Sequence, residues 1–310
     1  MKVLITPRSF GQYDDMPRKN LLDAGIEIVE NPKGGILTKE EMIELCSDVD
    51  AVILGVDPMD KDVMDAAPKL KVISKYGVGI DNIDMDYAKE KDIEVTITRG
   101  ANSDAVADFA FTLLLAVARR LVEINTGCHE NDWSKKVSLD IYGKKIGVLG
   151  LGAIGRGVIQ RAKGFNMEVY GYDVVCDSQY IEENGVHFTD LKTICETCDF
   201  ISVHLPLLDT THHIIDKDMI ALMKKNVILV NTARGGTIDE TALYDALKAK
   251  QVYGAGLDVF ETEPAYTSPL LELDNVIAGS HCSASSEGAV IAMSTQAVEN
   301  VLSHLGGQNG

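Results

Sequence analysis

Short apolar runs rich in valine and isoleucine recur along almost the whole chain, each followed by a stretch whose apolar residues return at helical spacing. Val3–Thr6, Ile26–Val29, Ala51–Leu54, Val72–Ser74 and Ile93–Ile97 predict strands, with helices such as Lys39–Cys46 and Met85–Lys91 between them. The alternation resumes with Ile146–Leu149, Glu168–Tyr172, Phe200–Val203, Val227–Val230 and Gly254–Leu257. Continuous apolar strands separated by helices suit parallel sheets covered on both faces, so two such series predict an α/β chain of two doubly wound units. Two segments fall outside the alternation. Ser103–Arg120 is a nearly all-apolar helical pattern, expected to be buried between units or between subunits. Glu287–Leu305 is an amphipathic helix with no strand after it, and must pack on a sheet made earlier.

Composition narrows the field. The chain has 310 residues, 45% of them hydrophobic and 25% charged, enough for two cores. Its 29 Lys and Arg face 47 Asp and Glu, a net charge of −18 without a basic run, which argues against nucleic acid and anionic membranes as partners. An anionic ligand must then be met by a few local cations. The longest apolar run, Phe109–Ala118, is too short to span a bilayer, and Met1–Thr6 lacks the apolar core of a signal peptide. Six scattered cysteines fit a reducing, cytoplasmic setting, and Cys195 with Cys198 lacks a second ligand pair to complete a zinc site, so no metal is expected. His212-His213 sits in a polar loop and is expected to be solvated.

The clearest chemistry follows the strand Lys145–Leu149. It runs into Gly150-Leu-Gly152-Ala153-Ile154-Gly155, and a helix pattern begins at once. Three glycines at this spacing allow a tight turn, close approach to a pyrophosphate and helix-on-strand packing, while the helix N-terminus offers N–H groups to phosphate. About 20 residues further on, Asp173 ends the next strand, where a carboxylate accepts ribose hydroxyls and repels a 2′-phosphate. No Arg or Lys occupies 174–180. The pattern predicts a dinucleotide site that prefers NAD.

Three later segments each begin at the carboxyl end of a strand pattern: Asn231-Thr232-Ala233-Arg234, Asp258 through Glu263-Pro264, and Gly279-Ser-His281. They bring Arg, Glu and His to the side of an open sheet that binds ligands. Arg can grip a carboxylate bidentately, His can deliver a proton, and Glu can hold the ring. Strand-end Arg and His are also common as structural residues, so spacing alone leaves both readings open.

Taken together, Gly150–Gly155 with Asp173, His204-Leu-Pro206, Asn231–Arg234, Leu257–Pro264 and His281 resemble the D-isomer-specific 2-hydroxyacid dehydrogenases. Lys75-Tyr-Gly77-Val78-Gly79-Ile-Asp81-Asn82 is most similar to the phosphoglycerate dehydrogenase branch. The resemblance implies a Rossmann NAD-binding domain, 100–282, inserted in a flavodoxin-like substrate domain formed by 1–99 and 283–310. It implies Arg234, Glu263 and His281 as the catalytic set, Asp258 on the nicotinamide carboxamide, and His204, Pro206, Thr232, Ala233 and His281 lining the cofactor. Gly77, Val78 and Gly79 would receive the substrate carboxylate, Lys75 is the best-placed cation for a phosphate, and Arg8 is another. A homodimer packed through the NAD domain, with Ser103–Arg120 contributing, is also implied.

The chain departs from the family at Ser280, where proline is usual, at Asp108 for a glutamate, and at Lys75 for an arginine. These changes bear on substrate more than on reaction. The expected substrate is a small anionic D-2-hydroxy or 2-keto acid, 3-phosphoglycerate ahead of hydroxypyruvate, glyoxylate or lactate-like acids. An NAD-sensing corepressor-like protein is the non-enzymatic alternative. Formate dehydrogenases carry an amide where Glu263 stands.

Overall fold

The computed structural model describes residues 1–306. The chain divides into two compact units, Met1–Asn102 with Ala284 onward, and Ser103–Ser283. The seams differ slightly from those read in the sequence, for local reasons. Buried Thr98 exchanges hydrogen bonds with Gly77 and ties the segment after it to the first unit. The Ser283 N–H donates to Asp258 and stays with the second.

In the first unit, β1 (Lys2–Ile5), β2 (Glu27–Glu30), β3 (Ala51–Leu54), β4 (Val72–Lys75) and β5 (Glu94–Ile97) form a parallel sheet in the order β2-β1-β3-β4-β5. This is the flavodoxin-like order. β3 is buried at every position and edge strand β2 at none, as expected for a sheet covered on both faces. The orphan helix, Glu287–Gly306, returns to this sheet: Ala297, Val298, Val301 and Leu305 pack on Val3, Ile5, Ala51, Ile53 and Val72. Ser74 Oγ donates to Ala297 O at 3.1 Å and Tyr76 Oη to Val290 O at 3.0 Å.

The second unit holds β6 (Lys145–Leu149), β7 (Glu168–Tyr172), β8 (His187–Phe188), β9 (Phe200–Val203), β10 (Val227–Asn231), β11 (Val252–Leu257) and β12 (Val276–Ala278). All pair in parallel in the order β12-β11-β10-β9-β6-β7-β8. The order reverses between β6 and β9, the switch point at which such sheets bind dinucleotides. Helices Leu191–Thr197 and Glu240–Lys248 close one apolar layer, and Ser103–Ala118 with Ala153–Gly164 the other.

The helical pattern read over Ser103–Arg120 packs one face into its own unit's core: Ala107, Ala110, Leu114 and Val117 lie with Val158, Ile146 and Ile228. It ends at Ala118 because Arg120 takes a left-handed φ of 52°, which breaks an α-helix, and a separate helix, Leu121–His129, follows.

Candidate active site

Each glycine of the turn after β6 has its own reason. Gly150 has φ 98°, and a Cβ there would lie 2.6 Å from His204 O, so the turn is folded down on the end of β9. A Cβ on Gly155 would overlap Gly150 O, so the helix presses directly on the turn. Gly152 caps the helix Ala153–Gly164, and nothing lies within 4 Å of where its Cβ would be. Open space at a helix N-terminus without an acidic side chain in its first turn is what a pyrophosphate needs, so these residues fit a dinucleotide.

Asp173 stands at the end of β7 beside this turn, its carboxylate accepting from Leu151 N at 2.6 Å and Val175 N at 3.1 Å. Arg156, which the linear reading of 174–180 could not find, reaches the same place from the helix. It donates to Leu151 O at 2.9 Å and Asp177 at 2.7 Å, and lies 4.0 Å over the Tyr180 ring.

His204 and Thr232 follow β9 and β10. The His204 ring is turned inward: Nε2 meets Ser202 Oγ at 2.8 Å, Nδ1 is buried, and burial pushes its pKa down to about 3. What it presents at the turn is main chain, against Gly150. Thr232 Oγ1 is also buried, while Pro206 is exposed and its carbonyl accepts from Thr211 Oγ1 at 2.6 Å.

The turn carrying Arg234 is organised by Asn231, whose Nδ2 donates to Arg234 O at 2.8 Å and whose Oδ1 accepts from Ala233 N at 3.0 Å. Thr237 Oγ1 adds a bond to Arg234 O at 2.7 Å. A Cβ on Gly235 would fall inside the backbone of Phe260, so this loop is packed main chain to main chain against the one that carries Glu263.

Asp258 joins the third loop to the second. It is 0% exposed, its carboxylate accepts from Cys282 N at 2.9 Å and Ser283 N at 2.8 Å, and its carbonyl accepts from His281 N at 2.8 Å. Both carboxylate oxygens thus hold the loop of His281. That histidine has a left-handed φ of 57° and an exposed ring, with Nδ1 2.7 Å from Glu263 Oε2. Glu263 Oε1 accepts from Phe260 N at 3.0 Å. Burial works to raise the Glu263 pKa. The bonds from His281 and Phe260 and the His281 and Arg234 charges outweigh it, and the net shift is below the usual carboxylate value. An imidazole, a carboxylate that holds it and a guanidinium thus share three loops of one unit.

Of the residues expected to bind substrate in the first unit, Lys75 and Gly77 already have protein partners. Lys75 is 5% exposed, and its ammonium donates to Gly55 O and to Asn82 Oδ1, pinning neighbouring loops. Gly77 N donates to Thr98 Oγ1 at 2.8 Å, so it is not open to an anion. Val78 is exposed and Gly79 half-buried. Cys195 and Cys198 lie in the core, and burial pushes both thiols up to about 12. His213 is not simply solvated: its Nε2 lies 2.9 Å from Glu261 Oε1.

Residues 111–283 match the family model described as D-isomer specific 2-hydroxyacid dehydrogenase, NAD binding domain. The chain is 44% identical over 276 residues to the D-3-phosphoglycerate dehydrogenase of Methanocaldococcus jannaschii, covering 88% of this chain and 53% of that one. It thus spans about half the length of that relative. To the glyoxylate reductase of Korarchaeum cryptofilum it is 40% identical over 279 residues, 87% of this chain and 84% of that one. The structure of D-lactate dehydrogenase from Aquifex aeolicus complexed with NAD and lactic acid superposes with a TM-score of 0.85 at 31% identity, over 98% of this chain and 96% of that one. The chain belongs to the D-isomer specific 2-hydroxyacid dehydrogenase family. It is an NAD-dependent oxidoreductase acting on D-2-hydroxy acids.

Proposed function

We propose that the chain interconverts a short, unphosphorylated 2-keto acid of the glyoxylate and hydroxypyruvate type with its D-2-hydroxy acid. The observation that carries the catalytic assignment is the 2.7 Å bond between His281 Nδ1 and Glu263, in a loop packed on that of Arg234. In reduction, NADH bound at the glycine turn would supply the hydride for the 2-carbon. His281 gives the Nε2 proton to the carbonyl oxygen as negative charge develops there, and Glu263 holds the ring through Nδ1. Arg234 grips the substrate carboxylate and polarises the adjacent carbonyl with a planar fork. Asp173, fixed beside the glycine turn, favours NAD over NADP by repelling a 2′-phosphate.

The choice of substrate rests on Lys75. A phosphorylated substrate carries a dianion that needs a cation besides Arg234, and in a chain of net charge −18 that cation must be local. Lys75 is buried and already donates to Gly55 O and Asn82, which disfavours it as that cation. The second reading, 3-phosphoglycerate, is favoured by the 44% identity to the Methanocaldococcus enzyme. NADH oxidation with glyoxylate, hydroxypyruvate and 3-phosphohydroxypyruvate separates the two. We expect kcat/KM for an unphosphorylated acid to exceed that for the phosphorylated one by about tenfold or more, the scale of one missing charge-assisted contact. A preference for 3-phosphohydroxypyruvate that collapses in Lys75→Gln would overturn this reading in favour of the second.

Two broader features complete the proposal. Exposed Leu121, Val122, Trp133 and Val137 make Leu121–His129 and the segment after it the surface by which two copies pair through the NAD domain. All six cysteines are free, which supports a cytosolic setting.

A further inference from the structure

The loop between β9 and the helix Lys217–Leu222 carries His213, a residue with no part in the chemistry above. It has a left-handed φ of 49°, and its ring is stacked on that of His212 with centroids 3.9 Å apart. Its main-chain N–H donates to Gly236 O at 2.8 Å, in the loop that begins at Arg234. Its ring Nε2 lies 2.9 Å from Glu261 Oε1, in the loop that holds Glu263. Facing a carboxylate, that nitrogen carries the hydrogen and donates. One residue therefore holds both catalytic loops.

Glu261 needs such a partner. Its Oε1 accepts from Glu240 N at 3.1 Å, and its own N–H donates to Glu240 Oε1 at 2.6 Å. Glu240, Glu261 and Glu263 thus gather on one side of the site. Burial raises the Glu240 pKa, the Glu261 N–H opposes it, the charges of Glu261 and Glu263 raise it further, and His213 pulls it back. Like charges this close push a surface loop outward, and a ring N–H on Glu261 counters that push.

We propose that His213 is a positioning residue, bracing the Arg234 loop through its main chain and the Glu263 loop through its ring. The brace sets the separation between the guanidinium and the Glu263–His281 pair. This rests on the assignment of Arg234, Glu263 and His281 as the catalytic set. A half-exposed pair of this kind adds little to stability, whereas small misplacements of catalytic groups are expensive in rate.

The test uses two substitutions in the full chain. His213→Asn suits the left-handed backbone, but its amide is too short to reach Glu261. His213→Gln places an amide N–H near the position of Nε2. We expect His213→Asn to lower kcat for keto-acid reduction by roughly ten- to a hundredfold, with Tm and NADH affinity unchanged and the keto-acid KM moved far less than kcat. His213→Gln should recover most of kcat. An undiminished kcat in His213→Asn, or a loss that Gln does not restore, would overturn the brace. His281→Gln, assayed beside them, separates the two levels. If it is inactive while His213→Asn is normal, only the brace fails; if it is fully active, the catalytic assignment fails and the brace with it.

Discussion

Glu263 is caught between burial, which favours its protonated form, and the donors His281 and Phe260 with the charge of Arg234, which favour the carboxylate and prevail. Its folded pKa is therefore below its unfolded value. The stability it contributes is complete above the ordinary glutamate range and is lost as pH falls through the lowered folded value. The Tm gap between wild type and Glu263→Gln should be present at pH 5 and should narrow as pH falls further. A gap already closed at pH 5 would contradict the pairing. Strand ends in an open sheet made this residue, His281 and Arg234 candidates, and only the family resemblance implied a catalytic role for them. Sequence missed Arg156 and His213, since each acts on a segment distant in the chain: Arg156 on Asp177, and His213 on Glu261. Lys75 and Asp258 show what a linear reading leaves out: both also hold loops through bonds to residues distant in the chain or across a turn.

At the scale of elements, the strands were legible where they are central and dim where they are not. Ala51–Leu54 is wholly buried and its apolar run marks its limits; His187–Phe188 is two exposed residues, with no pattern to read. The helix Leu121–His129 buries no residue, so no amphipathic stripe announced it. Between elements, Gly235 matters most. Because its Cβ would fall inside the backbone of Phe260, Gly235→Ala must separate the loop of Arg234 from that of Glu263. We expect a loss of about 1–3 kcal/mol in urea melts. A fall in kcat/KM of roughly a hundredfold should accompany it. Binding of NADH, which depends on the turn after β6, should survive. Normal kinetics with lowered stability would mean that the two loops need not touch for catalysis.

At the scale of the molecule, Trp133 and Val137 are 86% and 87% exposed, and the apolar side chains of Leu121–His129 lie beside them in sequence. If a second copy covers them, sedimentation will give a dimer, and Val137→Asp with Leu121→Glu will shift it to monomer while the NAD site is retained. A monomeric wild type would exclude that surface as a dimer contact. Trp133 is the only tryptophan of the chain, so its emission should move to the red in the double variant as it returns to water. Among the described residues no helix is long and apolar enough to cross a membrane. The split of the first unit has a consequence for synthesis. Residues 103–283 are contiguous and can close their core as they leave the ribosome. The first sheet cannot, because the helix that covers Val3, Ile5 and Val72 is Glu287–Gly306. At roughly 5–20 residues per second, that sheet waits tens of seconds with one apolar face uncovered. The nascent chain is thus most exposed to aggregation in its oldest part, while its younger insert is already folded.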